Sequence, residues 1–234
     1  MINLRRLTLA LLAMLLVFSV GCSGGADKAK SDLSVYDILS QSSLKIKEVD
    51  NLHFKLDSQG GSTPIGFGLA MDSAEGDISK PDKMKALVKA SVLGQAIEVS
   101  FVVLGTDTYM TNPLSGKWEA MASGMNPIAF FDPNTGAVNV LDNMKDAQKL
   151  GDDKVDGVKT YHVKGMVPTS ALTSIVGDQV QQGDVKTEVW IGMSDLLPRQ
   201  FRLDGQIMKD EKPNITRLLR FSNLGQPVTI EAPK

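Results

Sequence analysis

Cysteine is all but missing from this chain: among 234 residues only Cys22 carries a thiol. No disulfide can form within it, so the fold must stand on packing alone. Histidine is nearly as rare, and His53 and His162 lie far apart, without the close spacing or cysteine partner of a zinc site. Aromatic residues make up 6 % of the chain, which leaves few large rings to fill a deep core. There is no basic tract, so nucleic acid is not an expected partner. The one long apolar run, Leu7 to Val20, is 14 residues. A bilayer span needs about 20.

What the N-terminus does have is the signature of export. Arg5 and Arg6 form a short positive front, the apolar run follows, and small residues close it. That order describes a secretory signal over residues 1–21. Ser19-Val20-Gly21-Cys22 resembles the Leu–(Ala/Ser)–(Gly/Ala)–Cys signal of bacterial lipoproteins at its last two places, with Ser19 where a branched apolar residue is usual. By that resemblance Cys22 becomes the mature N-terminus and carries a thioether-linked diacylglyceryl group. Two acyl chains, at about 0.8 kcal/mol per buried CH₂, hold a protein on a membrane where one does so only marginally. The other reading is a free thiol left over in an ordinary exported domain. Without residues 1–21 the chain keeps 23 basic and 27 acidic residues, and nine of its 11 methionines. Methionine suits irregular apolar space, either a loose core or a greasy binding surface.

Residues 22–32 are small, polar and charged, and read as a flexible tether. Residues 33–234 read as a single domain. Its first helix places Leu33, Tyr36, Leu39 and Ile46 at helical spacing, with Ser31 or Asp32 as cap. The period then changes to two. Leu52, Phe54 and Leu56 share a face; so do Ile65, Phe67, Leu69 and Met71; then Met84, Ala86, Val88, Ala90 and Val92; then Ile97, Val99, Phe101 and Val103. Gly60-Gly61, Glu75-Gly76, Gly94 and Gly105 punctuate these runs as turns. A second helix is predicted over 136–150, with Ala137, Val140, Leu141, Met144 and Ala147 on one side and Gly151 at its end. Strands resume around the hairpin signal Asp156-Gly157. They continue, after the short helical candidate "SALTSIV", through "VKTEVWIGM", "RQFRLDGQIM", "NITRLLRFSN" and "PVTIEA". This is an α+β pattern with helices segregated to one face of an antiparallel sheet.

Roughly eight to eleven strands of this length make a sheet that must twist and curl. Its dry face is lined mostly by Val, Ala, Leu, Met and Gly, and only three helices are available to cover it. Two outcomes satisfy that arithmetic: a filled sandwich, or a sheet curled around the helices with an apolar hollow between.

"FVVLGTDTYMTNPLSGKW", "FFDPNTGAVNVLDNMKDAQKLGDDKVDGVKTYHVKG" and "VWIG…LPRQFRLDG", in this order behind a lipobox, resemble the actinobacterial LppX/LprG group of lipid-carrying lipoproteins. The most specific element is Asp132-Pro133, then Gly136, Asn139-Val140-Leu141 and Asn143. The resemblance implies a curved antiparallel half-barrel, similar to the LolA/LolB carriers, with helices on its concave face enclosing an apolar cavity. It implies no enzyme and no cofactor beyond bound lipid cargo. The expected protein is a monomer, exported and lipid-anchored on the outer face of the cell membrane. It would carry or present acylated lipids (glycolipid, phospholipid or triacylglycerol), with a membrane lipid exporter as a further partner. Such a cavity should reach roughly 1,000 Å³, the upper end of ordinary pockets. The dry-face pattern nominates Phe67, Leu69, Val88, Val99, Phe101, Val103, Val140, Leu141, Met144, Val189, Ile191, Phe201 and Leu203 as its lining. Phe130 and Phe131 either gate the mouth or anchor the loop; Gly66 and Gly68 either bend the strand or clear space for cargo.

Rival chemistry finds little support. Ser42-Ser43-Leu44-Lys45 matches S-x-x-K but has no S-D-N or K-T-G companion, and reads as the wet side of the first helix. Asp152, Asp153 and Asp156 precede Gly157 as in a calcium loop, but Val163 stands where the closing acid belongs. Gly66-Phe67-Gly68 is half a dinucleotide fingerprint. The serious alternative is an envelope lipoprotein with a solid core that binds another protein, with Trp118 and Trp190 as candidate anchors.

Overall fold

Strict alternation builds the sheet. In Lys83–Val92, "KMKALVKASV", Met84, Ala86, Val88 and Ala90 are buried while Lys83, Lys85, Leu87 and Lys89 are exposed. The computed structural model describes residues 33–66, 68–121, 132 and 134–234. The predicted leader, Cys22, the tether, Phe67, Phe130 and Phe131 lie outside the described residues. Ser34–Lys234 form one compact unit.

Twelve strands are described: β1 (Asn51–Gln59), β2 (Thr63–Gly66), β3 (Leu69–Ser79), β4 (Lys83–Val92), β5 (Gln95–Leu104), β6 (Asp107–Thr111), β7 (Trp118–Ala120), β8 (Lys145–Val155), β9 (Val158–Pro168), β10 (Asp184–Gly192), β11 (Pro198–Asp204) and β12 (Thr216–Ser222). They form one antiparallel sheet in the order β7-β6-β5-β4-β3-β1-β12-β11-β10-β9-β8, with β2 paired to β3. Two meanders thus meet at the β1–β12 ladder in the middle, where Phe54 pairs with Phe221 and Leu56 with Leu219. The chain leaves one edge at β7 and must return to the other at β8. That connection carries the short helix α2 (Ala137–Asp142). It packs against α1 (Val35–Lys47), the helix that precedes the sheet. Wide antiparallel sheets curl. The result is the half-barrel, with its helices on the inner face.

Local chemistry sets the boundaries. Ser34 caps α1: its hydroxyl accepts from the Asp37 amide at 3.1 Å while the Asp37 carboxylate accepts from the Ser34 amide at 3.3 Å, a complete capping box. Leu93-Gly94 and Asp156-Gly157 each have φ positive at both residues, the turn that suits a two-residue hairpin. The outer strand β8 carries Lys145, Asp146, Lys149, Asp152, Asp153 and Lys154. Charge of this kind discourages edge-to-edge pairing.

The fold departs from the sequence reading in several places. The cap is Ser34 rather than Ser31 or Asp32. The second helix ends at Asp142, not Gly151, because Asn143 folds back and its side-chain amide donates to the Asn139 carbonyl at 2.9 Å. Met144 and Ala147 therefore lie beyond it, Ala147 on β8. Ile65 and Met71 do not share a strand: β2 ends at Gly66 and β3, paired to it, begins at Leu69, with Gly68 at φ 70° between them. Glu75-Gly76 is no turn; it lies within β3, whose register shifts between Met71 and Ser73. That bulge moves Ala74, Gly76 and Ile78 onto the inner face with Met71. Tyr36 is exposed, whereas Ser42 and Ser43, read as the wet side of α1, are buried. Residues 227–232 form no strand. The short helix in "SALTSIV" does form, as α3 (Thr173–Val176) between single 3₁₀ turns at Thr169–Leu172 and Gly177–Gln179.

Candidate functional site

The motif entering α2 is a device for placing it. Asp132 Oδ1 accepts from the Asn134 amide at 2.9 Å, and its carbonyl accepts from the Gly136 amide at 2.8 Å, turning the chain into the helix. The Asn139 side chain then donates to the Ser174 hydroxyl at 3.1 Å, tying α2 to α3. Lys80 fastens the other side: its Nζ donates to the Ile46 and Lys47 carbonyls and to Asn134 Oδ1, each at 3.2 Å. Burial holds this lysine below the usual lysine range, with Asp132 and Asp50 pulling the other way.

So positioned, α2 and α3 cover an apolar cavity of about 110 Å³ against the sheet. Leu56, Met71, Phe201, Leu203 and Leu219 supply the sheet side. Ala137, Val140, Leu172, Ile175 and Val176 supply the helical side, and Ile207 and Met208 close it from the β11–β12 connection. Strand directions put this wall at the end of the sheet where β9, β11 and β1 finish and β2, β10 and β12 begin. Three polar groups share the lining: Thr63, Glu211 and Arg217. Arg217 pairs with Glu211, their side chains 8 % and 0 % exposed. Arg217 Nε donates to Thr63 Oγ1 at 3.1 Å, and Glu211 Oε2 accepts from the Ile207 and Met208 amides at 2.9 Å each.

The cavity is far smaller than the roughly 1,000 Å³ expected from sequence. It is nearer the ~150 Å³ apolar hole that admits benzene. The reason lies in the packing. Val88, Val99, Phe101, Val103, Leu141, Met144, Val189 and Ile191 are all buried, yet none of them stands in the wall of this cavity. Of the residues nominated from sequence, Val140, Phe201 and Leu203 stand in its wall. Leu69 is half-buried at the start of β3, outside it. Sequence reading did not nominate Thr63, Ile175, Ile207, Glu211 or Arg217. A signal for Arg217 was present: in "TRLLRFS" it shares parity with Leu219 and Phe221, so alternation puts a charge on the dry face.

A second hollow, of about 320 Å³, lies at the other end of the sheet. It is larger, but Asp156, Asp195, Arg199, Asn223 and Gln226 line it. Walls of that kind favour water over acyl chains. On the outer face, Trp190 is 8 % exposed and its indole N–H donates to Asp153 Oδ2 at 2.9 Å, so it is no free anchor. His53 and His162 also lie on that face, paired with Asp77 at 2.8 Å and with Glu188 at 2.7 Å. Among the described residues no three His, Cys, Asp or Glu side chains are grouped to hold a metal ion.

A long antiparallel sheet, curled over a few helices with an apolar cavity between, defines the half-barrel fold class. Solved structures that share this fold include LprF from Mycobacterium bovis, at TM-score 0.69 and 20 % identity over 85 % of this chain and 96 % of that one, and LppX from Mycobacterium tuberculosis, at 0.60 and 18 % over 84 % and 98 %. Residues 35–230 match the LppX_LprAFG lipoprotein family, and the chain belongs to it. Curated relatives include the lipoarabinomannan carrier protein LprG of Mycolicibacterium hassiacum, 28 % identical over 97 % of this chain and 98 % of that one. Lipoprotein LprA of Mycobacterium tuberculosis is 28 % identical over 96 % and 94 %.

Proposed function

We propose that this protein is a membrane-anchored carrier that takes acyl chains of envelope lipids into the cavity between its sheet and α2–α3, and carries or presents them. The observation that supports it is an apolar hollow left open inside a family whose relatives include proteins named as lipoarabinomannan carriers. Each CH₂ left in water costs about 0.8 kcal/mol. A lipid with two or three chains therefore meets a barrier of tens of kcal/mol on leaving a bilayer, and an aliphatic lining removes most of it. In the conformation described, the cavity holds only a short stretch of one chain. A fuller load requires the wall made by residues 169–183 to move outward. That wall is one turn of helix between two 3₁₀ turns, with Gly177 at φ 61° opening the second and Gly183 at φ 153° beyond it.

Cys22 is the proposed anchor. It would hold the exported protein on the outer face of the membrane while residues 22–32 let the domain swivel, with a membrane lipid exporter supplying the cargo. Native mass spectrometry of a Cys22→Ser protein, which carries no covalent lipid, from a lipid-rich actinobacterial host tests the central reading. The expected spectrum shows the polypeptide plus a lipid-sized adduct. Bare polypeptide alone, under conditions that keep a control carrier loaded, overturns it.

A further inference from the structure

The Arg217–Glu211 pair is out of place in a wall of leucine, methionine and phenylalanine. Burying two charges costs several kcal/mol per ion before their attraction is counted, and hydrophobic side chains would close this wall without that cost. The pair also leaves hydrogen-bonding capacity unspent. A guanidinium has five N–H donors. Arg217 directs Nε to Thr63, one terminal nitrogen to the Gly205 carbonyl at 3.3 Å and the other to Glu211. Each terminal nitrogen keeps a second N–H. Thr63 Oγ1 accepts from Arg217, and its own proton has no acceptor among the described residues. Thr63 and Arg217 are both buried, and both line the cavity.

We propose that Arg217, Glu211 and Thr63 form a polar subsite within the cavity that receives an uncharged oxygen acceptor of the cargo, the ester of a neutral glycerolipid, and rejects an anionic headgroup. This rests on the carrier reading. The spare donors require an acceptor, since buried donors left unpaired are costly. The Glu211 carboxylate cancels the Arg217 charge and repels a phosphate or carboxylate brought beside it in a low-dielectric site. Donors without net charge select ester oxygen over an anion.

The test uses the full chain with its N-terminal anchor, reconstituted in phosphatidylcholine vesicles. The vesicles carry equal amounts of photoactivatable dioleoylglycerol and photoactivatable dioleoyl phosphatidic acid, which share acyl chains and differ by one phosphate. After illumination, cross-links are mapped to the peptides holding Ala137–Val140 and Ile207–Met208. The wild-type protein should capture the neutral probe about tenfold over the anionic one, the scale of one hydrogen bond to a charged group. Glu211→Gln keeps a carbonyl for the backbone amides and leaves Arg217 uncompensated, so preference should swing toward phosphatidic acid. Thr63→Val, which keeps shape and removes the hydroxyl, should lower neutral capture several-fold. Equal capture of both probes, unchanged by either substitution, overturns the subsite while carriage stands. Absence of cavity cross-links from both probes overturns the carrier reading itself.

Discussion

Gly76 on β3 faces Ala86 on β4 so closely that a Cβ on the glycine would lie 2.7 Å from Ala86 Cα, with the Lys85 carbonyl oxygen nearer still. Both obstacles are backbone or sit hard against it, so a side chain cannot be accommodated by a rotamer change. Gly76→Ala is expected to cost about 3 kcal/mol, at the upper end of ordinary overpacking. Urea unfolding measures it as a lower midpoint at unchanged slope. An unchanged midpoint would mean the two strands do not approach as described.

Ala137 stands in the cavity wall at the start of α2 and is the smallest side chain there besides Gly136. Ala137→Phe should put a ring into the apolar space and exclude other occupants. Uptake of a lipophilic, environment-sensitive dye should fall at least fivefold, with circular dichroism unchanged. Val99→Trp should behave differently. Val99 is 1 % exposed in the filled inner layer, so the larger ring strains the sheet and costs stability instead of plugging a space. Full dye uptake by Ala137→Phe would place the acyl site elsewhere.

Much of the half-barrel was legible because period-two alternation is a direct consequence of a sheet with one dry face. "KMKALVKASV" and "AIEVSFVVL" could be read as strands from spacing alone. Failures came where one residue broke the period. The bulge at Met71–Ser73 shifted the parity of β3, and Gly76, read from sequence as a turn glycine, is instead required by the close approach of β4. Asn143 stopped α2 after six residues, although Met144 and Ala147 continue the helical spacing. The cavity was harder. Alternation tells which residues face inward, not which of them meet another side chain and which meet empty space. Ile207, Met208 and Glu211 reach the cavity from an irregular connection with no period to read. Arg217 did fall on the dry parity, and its burial followed from that placement once Glu211 was available as partner.

On the outer face, Trp190 stacks on His162 with ring centroids 4.2 Å apart and 17° between planes, while its indole N–H holds Asp153. That hydrogen bond, then the Lys154 amide, and to a lesser extent the nearby His162, lower the Asp153 carboxyl below its usual value of 3.8. A carboxylate stabilised in the fold favours the folded state above pH 4, and the benefit disappears as pH falls through the depressed value. In a Trp118→Phe background, Trp190 emission should therefore change in one step below pH 3.8. Asp153→Asn should abolish the step. A titration midpoint above 4 would show that the indole does not hold the ionised carboxylate.

Arg217→Met leaves the Glu211 carboxylate buried without its partner, and breaking a buried pair this way costs about 3–5 kcal/mol. Glu211 has a second duty, accepting the Ile207 and Met208 amides, so its replacement by Gln should be milder than replacement by Met. The revealing variant is Arg217→Met combined with Glu211→Gln. It removes both charges, keeps one carbonyl for the amides, and restores an apolar side chain at a dry-face position. Its loss should fall below the sum of the two single losses by at least about 1 kcal/mol, the mark of residues that act as a unit. Denaturant unfolding of the four proteins gives that coupling directly. Strict additivity would mean that the two side chains, although adjacent, are solvated separately, and the polar subsite would lose its physical basis.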